Sequence, residues 1–385
     1  MTDAPTTLEA PPSRWARAGV RAQFFVSGAL FATWGVHVPT VKSHYGLGEE
    51  ALAVAMLAGG VGALLALSQA GRLVARYGPR RLTVVTGVLC AALISALLVS
   101  QTYAVLVALL LFYGGAASLM DVAINSEASE LEHQAGRPLM SGFHALFSLG
   151  GMVGAALGGA LLHAGFTATQ HLLTAAITCA AVVVAGGAVM LRMRAAPSAG
   201  GLSLPRGALL WLGVLAALGL VAEGAMYDWS VLYLKQELRT DAGTASLAYA
   251  SFSGAMAAAR FGGDWVRARM TPVALLQASG ALGAVGMLLA LLWPHPVAAL
   301  VGFALVGLGF ANVVPVLFAA AARVPGVTAA HGIAAVSSVG YLGMMAGPPL
   351  IGVVAEHSSL SWGLSAVLVF ALVQAAAAGR VLPRR

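Results

Sequence analysis

Apolar residues in this chain come in long runs, and the polar residues between them gather in short clusters built on Arg, Gly and Pro. Crossing a hydrocarbon layer of ~30 Å takes ~20 apolar residues in a helix. On that rule the pattern predicts twelve membrane-spanning helices, at 18–38, 50–75, 82–101, 103–131, 139–163, 168–193, 207–235, 243–267, 270–293, 296–323, 329–355 and 359–381. The breaks carry turn residues: Gly46-Leu-Gly48, Gly78-Pro79, Gly136-Arg-Pro138, Pro294-His-Pro296 and Pro325-Gly326. The segment 194–206, with its Ala, Pro, Ser and Gly, reads as the main linker and divides the chain into near-equal halves. The expected organisation is a disordered cytoplasmic N-terminus (1–17), a six-helix bundle (18–193), a cytoplasmic linker (194–206), a second six-helix bundle (207–381) and a short cytoplasmic tail (382–385). The fold class is all-α and polytopic. The first apolar run follows Arg14, Arg17 and Arg21 as a signal peptide would, but it exceeds the ~7–15 residues of such a core and is read as the first span.

Composition agrees. The 385 residues are 59% hydrophobic and 9% charged, against about 25% charged in soluble domains. The net charge of +7 does not mark a nucleic-acid protein, because of where the charges lie. With a cytoplasmic N-terminus, eighteen arginines fall on the cytoplasmic side, and only Lys42, Lys235 and Arg239 fall outside. That asymmetry sets the orientation by the positive-inside rule and favours contact with anionic lipid. Cys90 and Cys179 sit in apolar runs and read as packing residues.

The halves echo one another. Trp34-Gly-Val36 recurs as Trp229-Ser-Val231, and Ser148-Leu-Gly150 as Ser338-Val-Gly340. Internal repetition of this kind marks transporters. Inside the spans lie a few polar residues whose insertion is costly. Ser118, Asp121 and Asn125, three and four apart, form one polar stripe on the fourth helix. At ~1.5 Å per residue, Asp121 lies about 15 Å in from Leu131, and His144 about 10 Å in from Arg137. The two are therefore expected to meet at similar depth as a proton site, or else Asp121 only holds helices together. Glu223 stands near mid-membrane and is the expected acid of a central cavity, opposite Asp121. Asp228 is five residues on, roughly 140° away, and is expected, with Trp229, to form an outer gate or a helix–helix hydrogen bond. Asn312 and Tyr341 are further candidates for substrate contact; Trp34, His37 and Pro39 read as interface anchors. Glu127, Glu130 and Glu132 are expected to partner Arg76, Arg80, Arg81 or Arg137. Arg260 and Asp264, four apart, are expected to pair on their own helix.

Gly71-Arg-Leu-Val-Ala-Arg-Tyr-Gly-Pro-Arg-Arg81 joins the second and third spans. It resembles the signature loop of the major facilitator superfamily, Gly-x-x-x-Asp-Arg-x-Gly-Arg-Arg. Gly71, Arg76, Gly78 and Arg80 match, Ala75 replaces the Asp, Pro79 takes a basic position, and Arg81 follows. The resemblance implies a cytoplasmic gate, with Arg260, Asp264 and Arg267 as a degraded echo. Asp121-Val-Ala-Ile-Asn125, Gly142-Phe-His144, Glu223 to Ser230, Gly309 to Asn312 with Pro315, and Gly347-Pro-Pro349 resemble the YbjJ-like bacterial inner-membrane branch, related to the fucose permease. That likeness implies an alternating-access carrier with an acid that couples protons in the fourth helix, and no specific substrate.

Function classes follow. A secondary transporter, by uptake or by proton-driven efflux, is the first reading; an uncoupled receptor or lipid flippase is the alternative. The expected partners are a small-molecule substrate, protons and membrane lipid, with the protein monomeric. No Walker loop, zinc-protease motif, hydrolase triad or Cys cluster is present, so neither an enzyme nor a cofactor is expected.

Overall fold

The computed structural model describes residues 14–136, 139–192 and 205–382. Fourteen helices are present among them: α1 Arg14–Tyr45, α2 Glu49–Tyr77, α3 Pro79–Ser95, α4 Tyr103–Ala135, α5 Met140–His163, α6 Ala168–Val189, α7 Ala208–Gln236, α8 Ala242–Phe261, α9 Gly263–Arg267, α10 Pro272–Leu292, α11 Pro296–Phe310, α12 Val313–Ala321, α13 Ala329–His357 and α14 Leu360–Val381. Ten segments are long and apolar enough to cross a membrane, with α11 and α12 counted as one. The other two traverses are α3, at 17 residues, and α8, which carries Thr244, Ser246, Ser251 and Ser253. Twelve traverses result, and an even number returns the chain to the face on which it began. That face is called terminal below, and the opposite one distal.

Local chemistry sets the helix ends. Thr167 and Gln170 form a reciprocal capping box at the start of α6, satisfying two orphan donors. Asp241, Thr271, Thr328 and Ser359 cap α8, α10, α13 and α14 by accepting from backbone N–H groups. Gly78, at φ +80°, takes the turn between α2 and α3, a region open to glycine at little cost. Several boundaries depart from the sequence pattern. α1 begins at Arg14, so Arg14–Arg17 are helical, and it continues through Pro39 to Tyr45. The tenth predicted span breaks at Ala311–Asn312 into α11 and α12. The cause lies at Pro315, which has no N–H to give the preceding turn; the break leaves it in the first turn of α12, where that donor has no intrahelical partner anyway. The linker region 193–204 and the first 13 residues lie outside the described residues.

Packing follows the two halves. α1 lies against α5 and α6, and α4 against α2 and α3; α7 packs on α13 and α14, and α10 on α11 and α14. The halves meet along α5–α8, α2–α13 and α1–α7. Lipid is as apolar as the side chains, so close backbone approach has to hold such seams. A Cβ on Gly159 would stand 1.9 Å from Ser246 Oγ, and one on Gly151 2.6 Å from Ser253 Oγ. Ser246 and Ser253 of α8 therefore face α5, not lipid, and Ser253 donates to the Ser148 carbonyl at 2.7 Å; Ser251 donates instead to the Leu300 carbonyl of α11.

Candidate functional site

Between the halves lies a cavity of about 310 Å³. Helical spacing selects its lining. Ser27, Phe31 and Trp34 come from one face of α1, and Met56, Gly59, Gly60, Ala63 and Leu67 from one face of α2. From α4 come Tyr113, Ala117, Ser118 and Asp121; from α7, Gly224 and Asp228; from α13, Tyr341, Met344, Met345 and Pro348. The cavity is mostly apolar and aromatic, as small-molecule sites are, and it carries two carboxylates, one from each half.

Asp121 accepts from the Asn125 amide at 2.9 Å, within its own helix. The expected meeting with His144 does not form: His144 lies edge-on to Phe24, centroids 5.2 Å apart, and does not line the cavity. Rotation about the helix axis decides contact, and α5 turns His144 toward Phe24 of α1. Asp228 accepts from Trp34 Nε1 at 3.2 Å, so one hydrogen bond links α1 to α7 across the halves.

Glu223 is not the cavity acid. α7 is unbroken from Ala208 to Gln236, so the turn between positions 223 and 228 points their side chains in different directions, and Asp228 faces the cavity. Glu223 turns to Arg260 Nη2, 3.1 Å away, and its Oε1 also accepts from Tyr227 at 3.3 Å. Arg260 Nη1 donates to Ser148 Oγ on α5 at 2.7 Å. Arg260 thus belongs to a buried network across the α5–α8 seam, and does not pair with Asp264. Asp264 pairs with Arg267. Asn312 lies in the α11–α12 break with Gly262 and Trp265, away from the cavity. Its Oδ1 would stand 2.5 Å from a Cβ on Gly263.

Around the signature loop, Gly71, Arg76, Gly78, Arg80 and Arg81 sit at the α2–α3 junction. Of the three glutamates, Glu127 is fully buried, accepts from Leu191 N at 2.6 Å and lies within electrostatic reach of Arg80. Glu132 instead accepts from Leu139 N and Met140 N at 2.6 and 2.9 Å, where a carboxylate offsets the positive end of α5. Glu130 accepts from Gln134. Arg137 lies outside the described residues.

The distal end of the cavity is covered by groups the sequence did not single out as a set. Lys42 of α1 meets Glu49 of α2 at 2.6 Å. Gln236 of α7, in the amide orientation that satisfies both neighbours, donates to Glu49 and accepts from Lys42. Glu356 of α13 accepts from Glu50 N at the start of α2, at 3.1 Å. Deeper in the same α2–α13 seam, Met345 abuts Gly60 and Ala53 abuts Gly352. The helices that contribute these groups also line the cavity, so the distal cluster joins both halves over it.

Twelve traverses in two halves of six, with a cavity between the halves, define the class of a membrane carrier. The Major Facilitator Superfamily profile matches residues 22–348, and the chain belongs to that family. It is 34% identical over 366 residues to an uncharacterised MFS-type transporter of Yersinia pestis, covering 95% of each chain. Among solved structures it superposes on the nucleoside transporter NupG with a TM-score of 0.74 at 13% identity, over 96% of this chain and 100% of that one. On the E. coli fucose:proton symporter FucP the TM-score is 0.63 at 14% identity, over 95% and 98%. The protein is a multi-pass membrane transporter of a family without enzymatic activity.

Proposed function

We propose that the protein is a secondary active transporter that carries a small solute across the bacterial inner membrane by alternating access, coupled to protons through the cavity carboxylates Asp121 and Asp228. One observation carries this reading: the cavity between the halves holds a carboxylate from each and, among the described residues lining it, no Lys, Arg or His. A carboxylate so placed is costly as an ion, and a proton or a cation relieves that cost. The arginines clustered near the terminal face, such as Arg76, Arg80 and Arg81, support a cytoplasmic location for that face. The distal cluster over the cavity then corresponds to a carrier closed to the outside. Ser118, Asn125 and Tyr341 join the two acids in the site; the loop from Gly71 to Arg81, with Asp264 and Arg267, serves the cytoplasmic gate.

The test uses purified protein in vesicles loaded with a pH-sensitive dye and offered a panel of sugars, nucleosides and amines. The expected result is proton movement that depends on one solute class and is lost in Asp121→Asn and in Asp228→Asn. Solute movement indifferent to the gradient in the unaltered protein overturns coupling. Unchanged coupling in both variants removes these acids from it.

A further inference from the structure

We infer that the cavity takes a small organic cation, an amine or quaternary ammonium on a flat apolar body; this deepens the transport reading and rests on the same cavity. Asp121 and Asp228 both line the cavity, and no basic side chain among the described residues lines it with them. Their hydrogen-bond partners, Asn125 and Trp34, are neutral. Glu223, the other acid of α7, has a basic partner: it is turned away and paired with Arg260. The field inside the cavity is therefore set by two carboxylates, and complementarity of potential selects a positive ligand and rejects an anion.

The walls say what carries the charge. Phe31 and Trp34 of α1, Tyr113 of α4, Phe147 of α5 and Tyr341 of α13 line the space with aromatic rings, whose faces carry negative charge density. Such faces attract ammonium groups, most strongly where water is excluded. Met56, Met344 and Met345 add polarisable surface that adapts to an irregular outline. A volume of about 310 Å³ is at the small end of the ~300–1,000 Å³ typical of ligand sites. A compact ligand fits, and a long lipid or a peptide does not. Hydroxyl-rich solutes such as sugars need many fixed polar partners, and the side chains of this lining supply few: Ser27, Ser118, two tyrosines, the two carboxylates and the Trp34 indole N–H, which is already engaged by Asp228.

The test compares isosteres of differing charge: tyramine (cationic), tyrosol (neutral) and 4-hydroxyphenylacetate (anionic), with benzyltrimethylammonium as a cation that has no N–H. Binding is measured on detergent-purified protein by calorimetry and by thermal unfolding, since a ligand specific for the folded state raises its melting temperature. Tyramine and benzyltrimethylammonium are expected to bind and stabilise, with tyrosol and 4-hydroxyphenylacetate at least tenfold weaker. Asp121→Asn and Asp228→Asn are each expected to weaken the cations at least tenfold and leave the neutral compound unchanged. The inference is overturned if the neutral or anionic isostere binds as well as tyramine, if neither cation binds, or if both variants keep full affinity for the cations. The charge series on the unaltered protein stands even where a variant fails to fold. No gradient enters the measurement. Cation binding without movement across a vesicle membrane would sink the transport reading alone; transport of an anion without cation binding would sink this one alone.

Discussion

The Glu223–Arg260 pair offers the strongest energetic test of the structure. Nη2 and Oε1 are 3.1 Å apart, and the side chains are only 14% (Arg260) and 11% (Glu223) exposed. At an effective dielectric constant of ~20, the attraction at this distance is about 5 kcal/mol. Removing one partner strands a buried charge and costs ~3–5 kcal/mol, whereas replacing both with neutral groups is far milder. For a chain of 385 residues, an unfolding entropy of ~2.1 cal/mol/K per residue turns 3–5 kcal/mol into a drop of about 4–6 °C in melting temperature. Glu223→Gln and Arg260→Met are each expected to show such a drop, and the double variant to recover most of it. The protein supplies its own probe: Cys90 and Cys179 are buried free thiols, so a thiol-reactive dye reports unfolding. Single variants that melt within about 1 °C of the unaltered protein, with no coupling in the double-mutant cycle, would show the pair to be water-screened and refute the buried network.

Other expectations follow from single contacts. Lys42→Ala removes the 2.6 Å contact to Glu49 and is expected to raise labelling, by a membrane-impermeant maleimide added at the distal face, of a cysteine placed at Ser27; unchanged labelling would mean the cluster does not cover the cavity. Gly114→Ala places a Cβ 1.9 Å from the Gly59 carbonyl oxygen, so α2 and α4 must part, and a loss of roughly 1–3 kcal/mol, the range for overpacking, is expected by the same dye assay. Asp241 caps α8 by accepting from Thr244 N and Oγ1. Hydrogen bonds from Thr244 hold its carboxyl below the usual carboxylate range. A lowered folded-state pKa gives stability that is present above the unfolded value of ~3.9 and lost as pH falls through the folded one. Asp241→Ala is therefore expected to cost ~0.5–2 kcal/mol at pH 7, and the gap to the unaltered protein is expected to close in strong acid. Trp34→Phe removes the donor to Asp228 and is expected to weaken tyramine binding more than tyrosol binding, measured by calorimetry.

The architecture was legible because lipid imposes it. Runs of ~20 apolar residues leave few alternatives to spanning helices, and the positions of Arg, Gly and Pro punctuate them. Much of the cavity was visible in principle too: residues 27, 31 and 34, and residues 113, 117 and 121, are helical stripes that end on polar or aromatic groups. Long-range pairing was not legible. Lys42 and Glu49 flank a short turn, but Gln236 and Glu356 reach them from the other half of the chain, and nothing local announces it. Likewise His37 and His171, 134 residues apart, meet at 2.8 Å in the interior, where His37 had read as an interface anchor.

The seventh helix shows where such reasoning divides. Five residues of separation put Glu223 and Asp228 on different faces, and the unbroken helix α7 obeys that rule. Depth alone then favoured Glu223 for the cavity, since it lies nearer mid-membrane. Depth is the wrong criterion once a cation is available. A guanidinium on the neighbouring helix can neutralise a deep carboxylate, and α8 brings Arg260 there. The acid left facing the cavity is the one whose neighbours, Trp34 on α1 and the aromatic walls, offer hydrogen bonding without charge. An intramembrane acid with a basic partner is bound into the scaffold, and one without a basic partner is left to meet protons or ligand. Sorting acids in this way needs the positions of the arginines in space, which one helix's sequence does not contain.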